Sequence, residues 1–219
     1  MTARRLLYGV LAAAFILPIT AIAGSAAAVS AIAAFDEAFE RINDYTVTVH
    51  AHEVKDGQTQ DRVYRYWFKR PRLAKTQIVS GPGAGGGGVW KGGDTVSGHQ
   101  GGLISFIHLN VSIHDSRATS LRGYTIPEGL LQNQVDKYKV IKGNLSERPG
   151  PEIAGQPTIQ VELRITDQSD DPGIDRAILY FSKITHFPLE QVRYGGGKIL
   201  SLETWTDLRT NTGLKDSDF

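Results

Sequence analysis

The sequence predicts an α+β protein in which a helix leads into an antiparallel sheet. Residues 30–43 repeat their apolar side chains every three or four positions. About eight later segments alternate apolar and polar residues with period two, and turn residues separate them. Strands joined by hairpins make an antiparallel sheet, and helices set to one side of it define the class.

At the start of the chain, Arg4 and Arg5 precede an uncharged stretch over residues 6–22. Pro18 interrupts it late, and Ala21-Ile22-Ala23 and Ala26-Ala27-Ala28 each offer a small-x-small cleavage site. This is the pattern of a secretory signal peptide over residues 1–28, leaving a domain over 29–219 and a mature N-terminus between Gly24 and Val29. Kept as a helix, the stretch would reach roughly 26 Å at ~1.5 Å per residue, enough for an anchor. Pro18 and the small residues after it favour cleavage and a soluble periplasmic product.

In the helix of residues 30–43, Ile32, Phe35, Phe39 and Ile42 share one face, opposite Asp36, Glu37, Glu40 and Arg41. The period then switches to two. Tyr45, Val47, Val49 and Ala51 alternate with Thr46, Thr48, His50 and His52, and Asp56-Gly57 signals a hairpin. Tyr64, Tyr66 and Phe68 share one face of a second strand, which Pro71 ends, and residues 73–79 form a third. Residues 81–88 (GPGAGGGG) read as a flexible loop, residues 95–97 as a short strand, and residues 99–124 fit no single pattern. Pro127 and Glu128 mark a helix start, with Leu131, Val135 and Tyr138 following at helical spacing. Residues 159–165, 176–181, 189–194 and 198–206 complete the strands.

Composition excludes several classes of function. With 24 basic and 23 acidic residues the formal charge is +1, so the chain is not a nucleic-acid binder on charge. The absence of cysteine removes disulfides, thiolate metal sites and thiol nucleophiles. No G-x-S-x-G elbow or acid–base carboxylate pair is present, so no catalytic residues and no cofactor are assigned. The glycines from Gly83 to Gly88 match G-x-G-x-x-G, but Val89 and Trp90 follow as strand where a dinucleotide site needs a helix N-terminus. His50 and His52 share a strand face at a spacing that can hold a metal, yet that face is the polar one, and no metal is assigned. Asp167, Asp170, Asp171 and Asp175 read as a solvated turn, because they lack the ligand order of a calcium loop. The basic and aromatic stretch 62–72 reads as a strand with its rings inward.

Taken together, the leader, the amphipathic helix, the aromatic strand ending Trp67-Phe68-Lys69-Arg70-Pro71, and the third strand resemble the start of the LolA-type periplasmic lipoprotein carriers. Ile184-Thr185-His186-Phe187-Pro188-Leu189 is similar to that family's hairpin before its last strands, and Asn211-Thr212-Gly213-Leu214 with Phe219 to its closing segment. The resemblance implies an incomplete barrel: a curved antiparallel sheet enclosing a hydrophobic cavity, lidded by helices. It implies a binding protein and not an enzyme, one that shelters lipid or lipoprotein acyl chains between an inner-membrane donor and an outer-membrane acceptor, as a monomer. It also implies that Arg70 latches the lid. Ala74-Lys75-Thr76 and the expanded 81–88 loop depart from the family pattern.

Residue chemistry runs parallel to this. An aromatic-rich sheet face offers more apolar surface than a helix pair covers, and each methylene buried there is worth ~0.8 kcal/mol. Tyr45, Val47, Val49, Tyr64, Tyr66 and Phe68 are therefore the expected ligand-binding set, with Arg70 as the latch. The alternatives are an envelope-stress sensor of the same fold and, from a different class, a metal hydrolase using His50 and His52.

Overall fold

The computed structural model describes residues 24–101, 108–169 and 171–219. Of the expected signal peptide over residues 1–28, residues 1–23 lie outside the described residues. Helix α1 (Gly24–Glu40) leads into strands β1 (Asp44–Lys55), β2 (Gln58–Lys69), β3 (Leu73–Ser80), β4 (Gly87–Trp90), β5 (Thr95–His99) and β6 (His108–Ser112). A 3-10 turn (Pro127–Gly129) and helix α2 (Leu131–Val140) follow. The remaining strands are β7 (Gly143–Pro149), β8 (Thr158–Ile165), β9 (Arg176–Ser182), β10 (Pro188–Gly195) and β11 (Lys198–Thr210).

All eleven strands form one antiparallel sheet, in the order β6-β5-β4-β3-β2-β1-β11-β10-β9-β8-β7. Its edges, β6 and β7, do not pair with each other, so the barrel stays open. The class and the open-barrel architecture expected from sequence are the observed ones. The strand count differs, because β4, β6 and β7 are short or polar and carry little alternation. Gly143–Pro149, for instance, is mostly exposed along an edge.

Local rules account for the first hairpin. Asp56 (φ 51) and Gly57 (φ 76) both take positive φ, the two-residue turn whose twist matches its strands. The resulting register pairs Tyr45 with Phe68, Val47 with Tyr66 and Val49 with Tyr64. The 81–88 stretch forms the loop of the β3–β4 hairpin, and backbone bonds tie it down. Gly85 N–H donates to Ile78 O at 2.9 Å and Ala84 N–H to Gly81 O at 3.1 Å, and Gly87 already belongs to β4.

Helix α1 starts six residues earlier than its amphipathic pattern and ends at Glu40. Its predicted apolar face is the buried one: Ile32, Phe35, Phe39 and Ile42 all enter the core. Phe39 lies 6.0 Å from the Phe68 ring and 6.4 Å from Tyr45, while Phe35 packs edge-on against Phe187 at 5.6 Å. The carboxylate of Glu147, on β7, accepts from the Ser30 hydroxyl (2.8 Å) and the Ala31 N–H (3.2 Å), tying the helix to the far edge of the sheet. No helix of the described residues is long and apolar enough to cross a membrane.

Candidate functional site

Between the concave face and the segment leading into α2 lies a cavity of about 350 Å³. Its apolar wall comes from Val49 on β1, Tyr64 and Tyr66 on β2, Ile78 on β3, Val96 on β5, Leu109 and Val111 on β6, and Ile126. Each strand residue faces inward by the same period-two rule that sets its register. Glycine shapes part of this wall. A methyl group at Gly129 would meet the Tyr66 hydroxyl at 2.4 Å, and one at Gly88 would meet Val96 at 2.7 Å. Burial raises the Tyr64 phenol and raises the Tyr66 phenol well above the ordinary range, so both stay neutral hydroxyls.

Of the six expected ligand-binding residues, the cavity exposes Val49, Tyr64 and Tyr66. Tyr45, Val47 and Phe68 share the face but are packed core, with the Tyr45 and Phe68 rings tilted against each other at 5.1 Å and both against Phe39. Helix α1 fills that end of the sheet and leaves the other end open.

Arg70 stands where β2 ends. Its Nε donates to the Ile42 carbonyl at 2.6 Å and its Nη2 to the Phe39 carbonyl at 2.9 Å, while its guanidinium lies 4.8 Å from the Phe39 ring centre. It thus adds a donor to the Phe39 carbonyl, which also accepts the Ile42 N–H at 3.0 Å, and satisfies the Ile42 carbonyl just past the end of α1. His50 and His52 project from the opposite, convex face, where His52 Nδ1 meets Asp61 at 2.8 Å. Among the described residues no group of three or more His, Cys, Asp or Glu could hold a metal ion.

A buried polar cluster beside the cavity went unnoticed in the sequence. Arg193, on β10, sits with Nη1 3.4 Å from Glu203 Oε1 on β11 and Nε 3.7 Å from Asp171, and it donates to Gln134 of α2. Gln134 in turn donates to Glu203 at 3.1 Å. The Tyr124 hydroxyl donates to Asp171 at 3.0 Å, and its ring lies 4.8 Å from the Arg193 guanidinium. Glu53 accepts from the Ser120 hydroxyl (2.8 Å) and the Arg122 N–H (3.0 Å). Burial pushes the Tyr124 phenol up to about 12. Burial also raises the Glu203 carboxyl, with Glu53 adding to the effect and Arg193 opposing it. Asp171 is therefore a buried partner of this cluster and not part of a solvated turn. The available signal was the continuation of period two, which places Glu53, Arg193 and Glu203 on the inward faces of their strands, with the polar Gln191 and Ser201 beside them.

No family model and no curated protein matches the sequence. Solved structures match the fold. An uncharacterized conserved protein from Thermus thermophilus aligns with TM-score 0.57 at 13% identity, covering 86% of this chain and 91% of that one. The Mycobacterium tuberculosis lipoprotein LppX aligns with TM-score 0.51 at 17% identity, covering 86% and 97%. A chain of the Pseudomonas aeruginosa MucA/MucB complex aligns with TM-score 0.50 at 15% identity, covering 87% of this chain and 59% of that one. At these identities the likeness is one of architecture. With the open eleven-stranded sheet, two helices and internal cavity of its described residues, the chain shares the fold of these proteins.

Proposed function

We propose that this protein is an exported carrier that shelters the acyl chains of lipids or lipoproteins in its cavity and moves them across the periplasm toward the outer membrane. The observation that carries the reading is the cavity itself, about 350 Å³ behind an apolar wall that neither helix fills. Ten methylenes buried there would contribute about 8 kcal/mol before the cost of ordering the chain, enough for binding without any catalytic group. An inner-membrane donor and an outer-membrane acceptor are the partners this role requires, and a monomer suffices for it. Export supplies the compartment, with cleavage between Gly24 and Val29 leaving Ser30 and Ala31 for Glu147 to hold.

Native mass spectrometry of protein purified from its own envelope tests the reading. A co-purifying lipid or lipopeptide is expected. A folded protein that arrives empty and takes up no added lipid would refute it.

The likeness to a chain of the MucA/MucB complex favours a second reading, an envelope sensor that binds lipid or a protein partner. That reading requires a stable protein complex in cross-linked periplasm, which a carrier would form only in passing.

A further inference from the structure

We infer that the cavity takes an amphiphile with an anionic oxygen head group, and that Arg62 holds the head at the cavity's edge. The inference rests on the lipid-binding reading above and adds the ligand's head-group chemistry to it.

The cavity, about 350 Å³, is within the usual range for small-molecule sites.

Head-group chemistry follows from which lining charges are already satisfied. The two lining carboxylates spend both oxygens on the protein: Glu53 on Ser120 and Arg122, Glu203 on Arg193 and Gln134. Arg117 is held by its neighbour Asp115 through two bonds of 2.8 and 2.7 Å. Arg62 differs. Among the described residues it has no carboxylate partner. Its Nε donates to the Pro82 carbonyl at 2.8 Å and its Nη1 to the Tyr64 hydroxyl at 3.2 Å. A guanidinium carries five donors, so three remain, and the Tyr64 hydroxyl keeps its own proton to give.

This placement also explains the glycine-rich turn. Its backbone lies so close to β2 that a methyl group at Gly81 would meet the Asp61 carbonyl at 2.2 Å. Only this close approach brings Pro82 within reach of Arg62. The guanidinium is thereby fixed at the mouth, one strand position pair beyond Tyr64, while Tyr66 and Ile126 line the deep end. An amphiphile seated this way meets apolar wall along its tail and a fork of donors at its head.

Displacement of the neutral fluorophore N-phenyl-1-naphthylamine tests the proposal, using laurate, dodecyl phosphate and dodecanol as competitors. Laurate, dodecyl phosphate or both should bind about 10-fold tighter than dodecanol, since an ion pair with hydrogen bonds outweighs a hydrogen bond to a neutral hydroxyl. Which of the two shows the preference names the head as carboxylate or phosphate ester. Arg62→Gln should erase that preference, weakening the anions far more than dodecanol. Arg117→Gln should keep the preference. Equal binding of dodecanol and the anions by wild type, or loss of the preference in Arg117→Gln instead, overturns the role of Arg62. If a folded protein binds neither the fluorophore nor any competitor, the lipid-binding reading itself falls, an outcome distinct from loss of the preference.

Discussion

The phenol of Tyr45 accepts the backbone N–H of Leu131 at 3.0 Å, joining the start of β1 to the first turn of α2. Both residues are fully buried, and the N–H is one of those a helix leaves without an internal partner. A side chain expected to touch ligand is instead the point where the sheet holds its second helix.

Tyr45→Phe removes that acceptor and strands a buried donor. The expected loss is about 1–3 kcal/mol of unfolding free energy, measured by urea denaturation, with an unchanged m-value. Stability equal to wild type would mean that α2 is held by its apolar contacts alone.

Arg70→Lys keeps the positive charge but loses the fork that reaches Phe39 and Ile42 together. Amide hydrogen exchange should quicken in the last turn of α1 while β1 and β2 stay protected. On the latch reading, cargo would still be taken up but passed poorly to an acceptor. Wild-type exchange and transfer rates would leave Arg70 as an edge residue without a latch role.

Gly129→Ala places a methyl group on the Tyr66 hydroxyl, and the ring must shift toward the cavity. Affinity for a dodecyl probe should fall several-fold, with a modest drop in melting temperature typical of overpacking. Unchanged affinity would show that Tyr66 is not part of the occupied wall.

Glu203 gives a pH dependence with a definite sign. Burial raises its carboxyl in the folded protein above the unfolded value of 4.5, so the folded state binds the proton more readily. Its contribution to stability is thus lost as pH rises from 4.5 through the folded value. Glu203→Gln should flatten the wild-type stability curve over that window, as read from denaturation at a series of pH values. Parallel curves for the two proteins would show that folding leaves the Glu203 carboxyl unshifted.

Intact mass of the exported protein checks the leader. The mature N-terminus is expected between Gly24 and Val29, and retention of residues 1–23 in the membrane fraction would favour the anchor and with it the sensor reading.

Periodicity by itself determined which residues share a face. It paired Tyr45 with Phe68 and Val49 with Tyr64 through the Asp56-Gly57 turn, and it chose Ile32, Phe35 and Phe39 of α1, with Ile42 just after it, as a buried stripe. These are local consequences of chain geometry and can be read along the sequence. What covers each part of the apolar face is not local. Phe39 of α1 settles on Tyr45 and Phe68 and leaves Val49, Tyr64 and Tyr66 facing empty space, because long-range contacts set where the helix docks: Glu147 at Ser30 and Arg70 at Phe39. The burial of Arg193 was decided in the same way. Only the folded chain brings Glu203, Asp171, Gln134 and Tyr124 around one guanidinium, and without them a charge on that inward face would cost too much to bury.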